Sequence, residues 1–280
     1  MNRPRGASEG TAPPSVGGYG FGTGPVFLAS ISTILGAIMF LRFGYAVGSV
    51  GLLGALLVIL LGHAVTVPTA LAIAEIATNR RVEGGGEYFI ISRSFGTSIG
   101  GAIGISLYVS QAISVAFYMI AFAEAFSPLT PWFQETLGFA FDTRFVSVPA
   151  AVGLVALVLT RGADLGVKAL YGVAAILALS LVLFFAGGAI EGYDASRIPL
   201  MASLPDADPF ILVFAICFPG FTGMTAGVGL SGDLANPRKS IPLGIMSATL
   251  VGMLAYVALV TKLAFSAPAE ALVGNQLIMG

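Results

Sequence analysis

Pro219, Gly220, Gly223, Gly227 and Gly229 fall inside an apolar run, Phe210 to Asp233 (FILVFAICFPGFTGMTAGVGLSGD), that is otherwise long enough to cross a bilayer. Proline removes a backbone donor and clashes with the preceding helical turn. Each glycine costs a helix about 1 kcal/mol relative to alanine. Inside lipid every backbone polar group needs a partner, so a broken helix is tolerated only where it lines a protein cavity. The two half-helices then present carbonyls on one side of the break and amides on the other. Carbonyls suit cations and amides suit anions, with no charged side chain required. Pro219–Thr225 therefore reads as half of an ion or substrate site. A second weak point, Leu35-Gly36-Ala37, interrupts the first apolar run.

The elements that must position these breaks follow from composition. The chain is 56% hydrophobic and 10% charged, with a mean hydropathy of +0.94, more apolar surface than a soluble domain of this size can hide. It reads as an all-α polytopic membrane protein. The net charge of −1, with no basic cluster, gives no footprint for nucleic acid. One cysteine, Cys217, excludes an internal disulfide framework and a multi-cysteine zinc site, and the single histidine, His63, argues against a His-rich metal site. No Ser–His–Asp set, metal cluster or phosphate loop is present. Gly84–Gly86 has the glycines of a phosphate loop but neither its lysine nor its strand, so the chain is expected to be no enzyme and to carry no cofactor.

Residues 1–24 are rich in Gly, Pro and Ser, lack a signal-peptide core, and read as a disordered tail. Residues 25–280 form the transmembrane domain, with about seven spans expected: 25–47, 52–78, 99–126, 147–160, 168–190, 210–233 and 243–265. Residues 79–96, 127–146, 191–208 and 232–242 connect them, and 266–280 reads as the start of a loop. Arg3, Arg5, Arg80, Arg81, Arg93, Arg161, Lys168, Arg238 and Lys239 share one side, against Arg144 and Arg197 on the other. That asymmetry predicts a cytoplasmic N-terminus.

The first and sixth spans, five apart, are the interrupted ones. Matching interruptions in two halves point to a transporter built from inverted repeats. The first repeat then covers about 25–190 and an incomplete second about 209–280. On this reading the sequence is an N-terminal fragment.

Four stretches carry a resemblance: GAIMFLRFGYAVGSVG (36–51), IATNRRVEGGGEYFIISRSFG (76–96), VAFYMIAFAEAF (115–126) and FPGFTGMTAGVGLSGDLANPRKSIPLG (218–244). They resemble the cation–chloride cotransporters of the amino acid–polyamine–organocation superfamily, which has a five-plus-five inverted-repeat fold with broken first and sixth helices. Glu75 instead resembles the amino acid permeases of that superfamily. The resemblance implies a multi-pass plasma-membrane protein that carries chloride with potassium, with sodium as an optional third ion, by alternating access. It leaves room for a homodimer. It implies potassium ligands at Thr33, Ile34, Tyr118, Pro219 and Thr222: two carbonyls of the first break, a third-span hydroxyl, and a sixth-span carbonyl and hydroxyl. It implies chloride-facing amides at Gly36, Ala37 and Ile38 and at Gly223, Met224 and Thr225, with no metal beyond the alkali ion. The family usually has asparagine at Thr33, a change that a backbone ligand survives, and often tryptophan at Leu35. The sodium ligands of its eighth span fall outside this sequence.

Other readings stand beside these. Tyr118 also fits an interfacial packing residue, Thr222 a hydroxyl bonded back to its own helix, and Pro219 a plain kink. Arg42 and Lys262 read as helix-end residues reaching the interface, and Glu124 as a vestibule residue. An amino acid permease is the alternative function. It would need amides that grip a carboxylate, and ILGAIMF has one glycine where permeases commonly show several. A channel or receptor-like module is the third class, against which the paired interruptions argue.

Overall fold

The computed structural model describes residues 20–79, 82, 84–138, 142–190, 192–194 and 198–279. Arg3, Arg5, Arg80, Arg81 and Arg197, with most of the expected tail, lie outside them, as do the side chains of residues 137, 161–165 and 167. The described chain is helical, and its strand-like pairing is confined to an isolated bridge between Phe21 and Leu234.

Helix α1 covers Thr23–Ile34 and α2 covers Ala37–Asn79, so the first run is broken where Leu35 and Gly36 interrupt it. Within α2 the chain turns at Gly51, with φ 74° and ψ 175°. Only glycine adopts that conformation readily, and a Cβ there would lie 2.5–2.7 Å from the backbone of Met201. The 198–201 segment caps the new helix start: Leu52 N–H donates to Pro199 O at 2.7 Å and Leu53 N–H to Leu200 O at 3.0 Å. The turn thus falls between the first two expected spans, 25–47 and 52–78, and α2 supplies parts of both.

Helix α3, Gly86–Phe95, lies in the connection that the sequence marks as polar, and α4, Thr97–Glu124, is the third span. The 127–146 connection carries a helix of its own, α5 (Thr130–Leu137). Helix α6, Arg144–Ala186, is 43 residues long, about two crossings' worth at roughly 20 residues each. The sequence places a polar connection between Thr160 and Lys168, whereas the backbone there is helical. Gly162 and Gly166 weaken a helix without ending it, and no proline intervenes.

The sixth span starts as α7, Phe210–Cys217, then tightens into 3₁₀ turns over Phe218–Phe221 and Gly223–Asp233. A 3₁₀ run of that length is uncommon because its hydrogen bonds are poorer, and such stretches mark strain or a hinge. Helix α8 is Pro237–Ala264. The final segment, expected as a loop, instead forms α9, Ala269–Gly274. It packs on the first half of α2, where Cβ atoms on Gly44 and Gly48 would meet Ile278, Leu272 and Val273 within 3.0 Å.

The buried core is drawn from α1, α2, the sixth span and α8, including Val26, Ile34, Met39, Phe43, Phe221, Ile245 and Tyr256. Along α8, Gly244, Ala248 and Gly252 recur every fourth residue, and Cβ atoms on the two glycines would lie 2.5 Å from Val26 and 2.6 Å from Ile34. Small residues at that spacing let two membrane helices approach closely.

The connections sort into two ends. At one, Phe21 N–H donates to Asp233 O at 3.0 Å, Ala235 N–H donates to Phe21 O at 2.9 Å, and a Cβ on Gly232 would lie 3.1 Å from Gly84 Cα. At the other, Ile190 N–H donates to Ser266 O at 2.8 Å, Tyr193 O–H to Ala264 O at 2.9 Å, and Lys262 Nζ to Gly187 O at the C-terminus of α6. The GGGEY and SGDL runs, distant in sequence, therefore meet at one end.

Candidate functional site

The two breaks lie against each other. Gly223 is the point of closest approach: a Cβ there would stand 2.7 Å from Ile34 N and Thr33 Cβ and 2.8 Å from Thr33 C. Gly220 makes a second close approach nearby, its absent Cβ 3.1 Å from Ile38 Cγ2. The glycines that weaken the sixth span thus let its backbone touch α1 and the start of α2. Thr33, Ile34, Ile38, Gly220 and Gly223 share one small region between the elements.

The polar groups there are neutral. Ile34 is the last residue of α1, so its carbonyl has lost the helical partner that a continuous chain would supply. Ala37 and Ile38 open α2, where first-turn amides have no intrahelical acceptor. Thr33 Oγ1 donates back to Ala29 O at 2.8 Å, leaving its backbone as the ligand-capable group. Ser30 Oγ, fully buried, donates to Met224 O at 2.7 Å. The peptide group is planar and trans, so pinning that carbonyl turns the Thr225 N–H the opposite way. Met224 is buried, Thr225 half-buried, and Pro219 and Thr222 are exposed.

At the break itself Thr222 Oγ1 donates to Pro219 O at 2.8 Å and Thr222 N–H donates to the same oxygen at 3.2 Å. Thr222 does bond back to its own segment. The Pro219 carbonyl then has both lone pairs engaged, while the Thr222 hydroxyl oxygen keeps its own free to accept or to face a cation. Tyr118, on α4, is 39% exposed and lies within electrostatic range of Tyr256. It borders the region without being packed into it. Gly36 and Ala37 are half-buried at the start of α2.

One residue of this region escaped the sequence reading. Tyr256, on α8, is fully buried, and its hydroxyl donates to Ile34 O at 2.7 Å and to Gly220 O at 3.2 Å. Its ring packs on Phe43 and Phe221, with centroids 4.5 and 4.9 Å away. The signal was present: Gly244, Ala248, Gly252 and Tyr256 lie on one helical face, and the tyrosine ends the small-residue stripe.

The single-residue readings largely resolve to packing. His63 is buried against the Phe221 ring, and its Nδ1 pairs with Ile59 O at 2.9 Å. Cys217 is fully buried. Arg42 donates to Gln276 Oε1 at 2.8 Å, which ties it to the last segment rather than to the site. Glu75 lies at the opposite end of α2 from the breaks, in a cleft of about 410 Å³ with Asn79 and Arg93. A larger cleft of about 740 Å³, lined by Tyr193, Asp194 and Glu270 among others, is remote from the breaks. No group of acidic, Cys or His residues able to hold a metal ion occurs among the described residues.

The sequence that builds these apposed breaks has known relatives. Residues 25–273 match the amino acid permease family. The chain belongs to that family. It is 33% identical over 248 residues to solute carrier family 12 member 1 of Mus musculus, covering 83% of this chain and 22% of the relative. Against solute carrier family 12 member 2 of Homo sapiens the identity is 32% over 252 residues, 83% of this chain and 20% of the relative. With member 2 of Squalus acanthias it is 34% over 245 residues, 82% and 20%. The chain thus spans about a fifth of the length of these relatives. Both halves of the sequence resemblance, to the cation–chloride cotransporters and to the permeases, are met by these matches. This permease-family chain is a multi-pass membrane protein of a transport superfamily, and its relatives are carriers rather than enzymes.

Proposed function

We propose that the chain forms the ion-binding portion of a secondary transporter that moves chloride together with potassium, with sodium as an optional third ion, by alternating access. The observation that carries this reading is the apposition of two broken helices whose facing groups are carbonyls, hydroxyls and amides, without a carboxylate among them. Potassium is large and weakly hydrated, so a ring of neutral oxygens can replace its water. Thr33 and Ile34 carbonyls, the Thr222 and Tyr118 hydroxyls and the Pro219 carbonyl are the proposed ring. Because Pro219 O already accepts two bonds, its entry into the ring requires Thr222 Oγ1 to release it. A cation so held lacks a counter-charge, and chloride on the amides of Gly36–Ile38 and Gly223–Thr225 supplies one. The spans belong in this proposal to a five-plus-five inverted repeat in the plasma membrane, N-terminus cytoplasmic, compatible with a homodimer.

The permease match and Glu75 keep one second reading in view, amino acid uptake. Rubidium uptake by the whole protein in proteoliposomes separates the two. The ion reading expects uptake that needs both potassium-site and chloride occupancy and ignores free amino acids. Chloride-independent uptake competed by amino acids would replace it with the permease reading.

A further inference from the structure

We infer that Tyr256 is a clasp between the two broken helices, a positioning residue that fixes the carbonyl geometry of the site through its hydroxyl. The need for it follows from the breaks. Ending α1 at Ile34 orphans the Ile34 carbonyl at membrane depth, where water is not at hand to satisfy it. Tyr256 O–H donates to that oxygen at 2.7 Å and reaches Gly220 O, in the other break, at 3.2 Å. A phenol carries one proton, so the two carbonyls share a single donor. Sharing it holds the first and sixth spans at one spacing, and a carbonyl with two lone pairs can accept this bond and still face an ion.

The ring is built to deliver that hydroxyl accurately. Tyr256 is fully buried between Phe43 and Phe221, and Gly252, one turn earlier, lets α8 approach Ile34. Phe221 itself lies in the 3₁₀ turn of the sixth-span break and Phe43 on the helix that follows the first break, so the ring touches both of the elements being joined. A preorganised carbonyl costs less to bring onto an ion than a mobile one.

The test has two arms, of which the flux arm rests on the ion-site reading above. In amide hydrogen exchange on the whole protein, Tyr256→Phe should speed exchange at Leu35, Met39 and Thr222, the amides that close the two breaks, by about three- to tenfold, the worth of one lost hydrogen bond. Unchanged exchange at both breaks overturns the clasp. In flux, the same variant should raise the potassium half-saturation by about three- to tenfold at normal membrane abundance. Phe43→Leu removes a ring neighbour and keeps the hydroxyl. It should lower thermal stability and leave half-saturation unchanged, and an equal shift in both variants would reduce Tyr256 to packing. Should Tyr256→Phe fail to fold, 3-fluorotyrosine at 256 keeps ring and hydroxyl while altering donor strength. It should shift half-saturation and exchange at the breaks, and no shift in either overturns the proposal. If the wild type shows no potassium- or chloride-dependent flux, the ion reading fails, and the exchange arm still decides the clasp.

Discussion

Two regions of the molecule differ sharply in how they use the same apolar residues. In the runs covering α1–α2, the sixth span and α8, 50%, 44% and 44% of the most apolar window is buried, against 6% for α4 and 0% for the second half of α6. Leu159, Tyr108, Ile105 and Ile176 on those outer helices are each at least 69% exposed. The difference is not one of hydropathy, because lipid accepts leucine as well as a protein interior does. It is one of small residues. The packed region has glycines where neighbours approach; on α4 such approaches are confined to its start, where Gly100 and Gly104 meet Ser92 and Tyr88 of α3, and Gly101, Gly153 and Gly172 on α4 and α6 have nothing within 4 Å of an added Cβ. Where breaks must meet, glycine is a requirement of contact; at Gly101, Gly153 and Gly172 it is only a weak spot in a helix.

Gly223→Ala is the largest expected break in that contrast. The added methyl would fall 2.7–2.8 Å from backbone atoms of Thr33 and Ile34, which cannot swing aside as a side-chain tip can. Overpacking of this kind costs about 1–3 kcal/mol or more, and here it also pushes the two breaks apart. Ion-dependent flux should fall to background with a lowered thermal midpoint in detergent. Near-normal flux would show that the breaks do not pack as closely as described.

Tyr118→Phe is next and sharpens the boundary between the regions, since Tyr118 is the candidate ligand contributed by the bare side. Losing one oxygen ligand should weaken potassium dependence roughly ten- to a hundredfold, on the scale of about 1–3 kcal/mol for a bond to a charged partner. Chloride affinity should fall with it, because coupling between two bound ions is reciprocal. Wild-type potassium dependence in this variant would remove α4 from the site and leave only the packed region in it. Thr222→Val should act in the same direction but less, by about two- to tenfold. It deletes a hydroxyl ligand while freeing the Pro219 carbonyl from one of its two bonds, so some of the loss is offset. A potassium half-saturation lowered by this substitution would mean that the carbonyl, not the hydroxyl, matters.

The division between packed and bare helices was only partly legible in the sequence. Composition and the interruptions at Leu35–Ala37 and Pro219–Thr225 were enough for an all-α membrane protein with two weak spans, because proline and glycine act locally. The boundary between the first two expected spans, where Gly51 turns the chain, was legible for the same reason. The helical continuity of α6 and the packing of α9 were not, since neither depends on a local breaker but on what lies alongside. Tyr256 was missed because a tyrosine in an apolar helix carries no local mark of its partner. Its significance lies in Ile34, 222 residues away. The opposite fate of Thr222 and Tyr118, one bonded to its own turn and the other at the margin, likewise depends on rotamer and tilt rather than on residue type.

The smallest expected effect tests the bare region directly. In Gly153→Ala and Gly172→Ala the new methyl meets nothing within 4 Å. Alanine in a helix is favoured over glycine by about 0.5–1 kcal/mol, so both variants should be neutral or slightly more stable, with unchanged ion dependence. A thermal-midpoint series comparing them with Gly227→Ala makes the contrast internal. At Gly227 the methyl would lie 2.5 Å from Ser30 Oγ and 2.7 Å from Val26 O, and a clear loss is expected. If Gly153→Ala proved as damaging as Gly227→Ala, the exposed face of α6 could not be facing lipid. A lipid chain yields to one methyl, whereas a packed helix does not. That outcome would turn the bare helix into a protein interface, with the position of each harmful glycine marking where its partner lies.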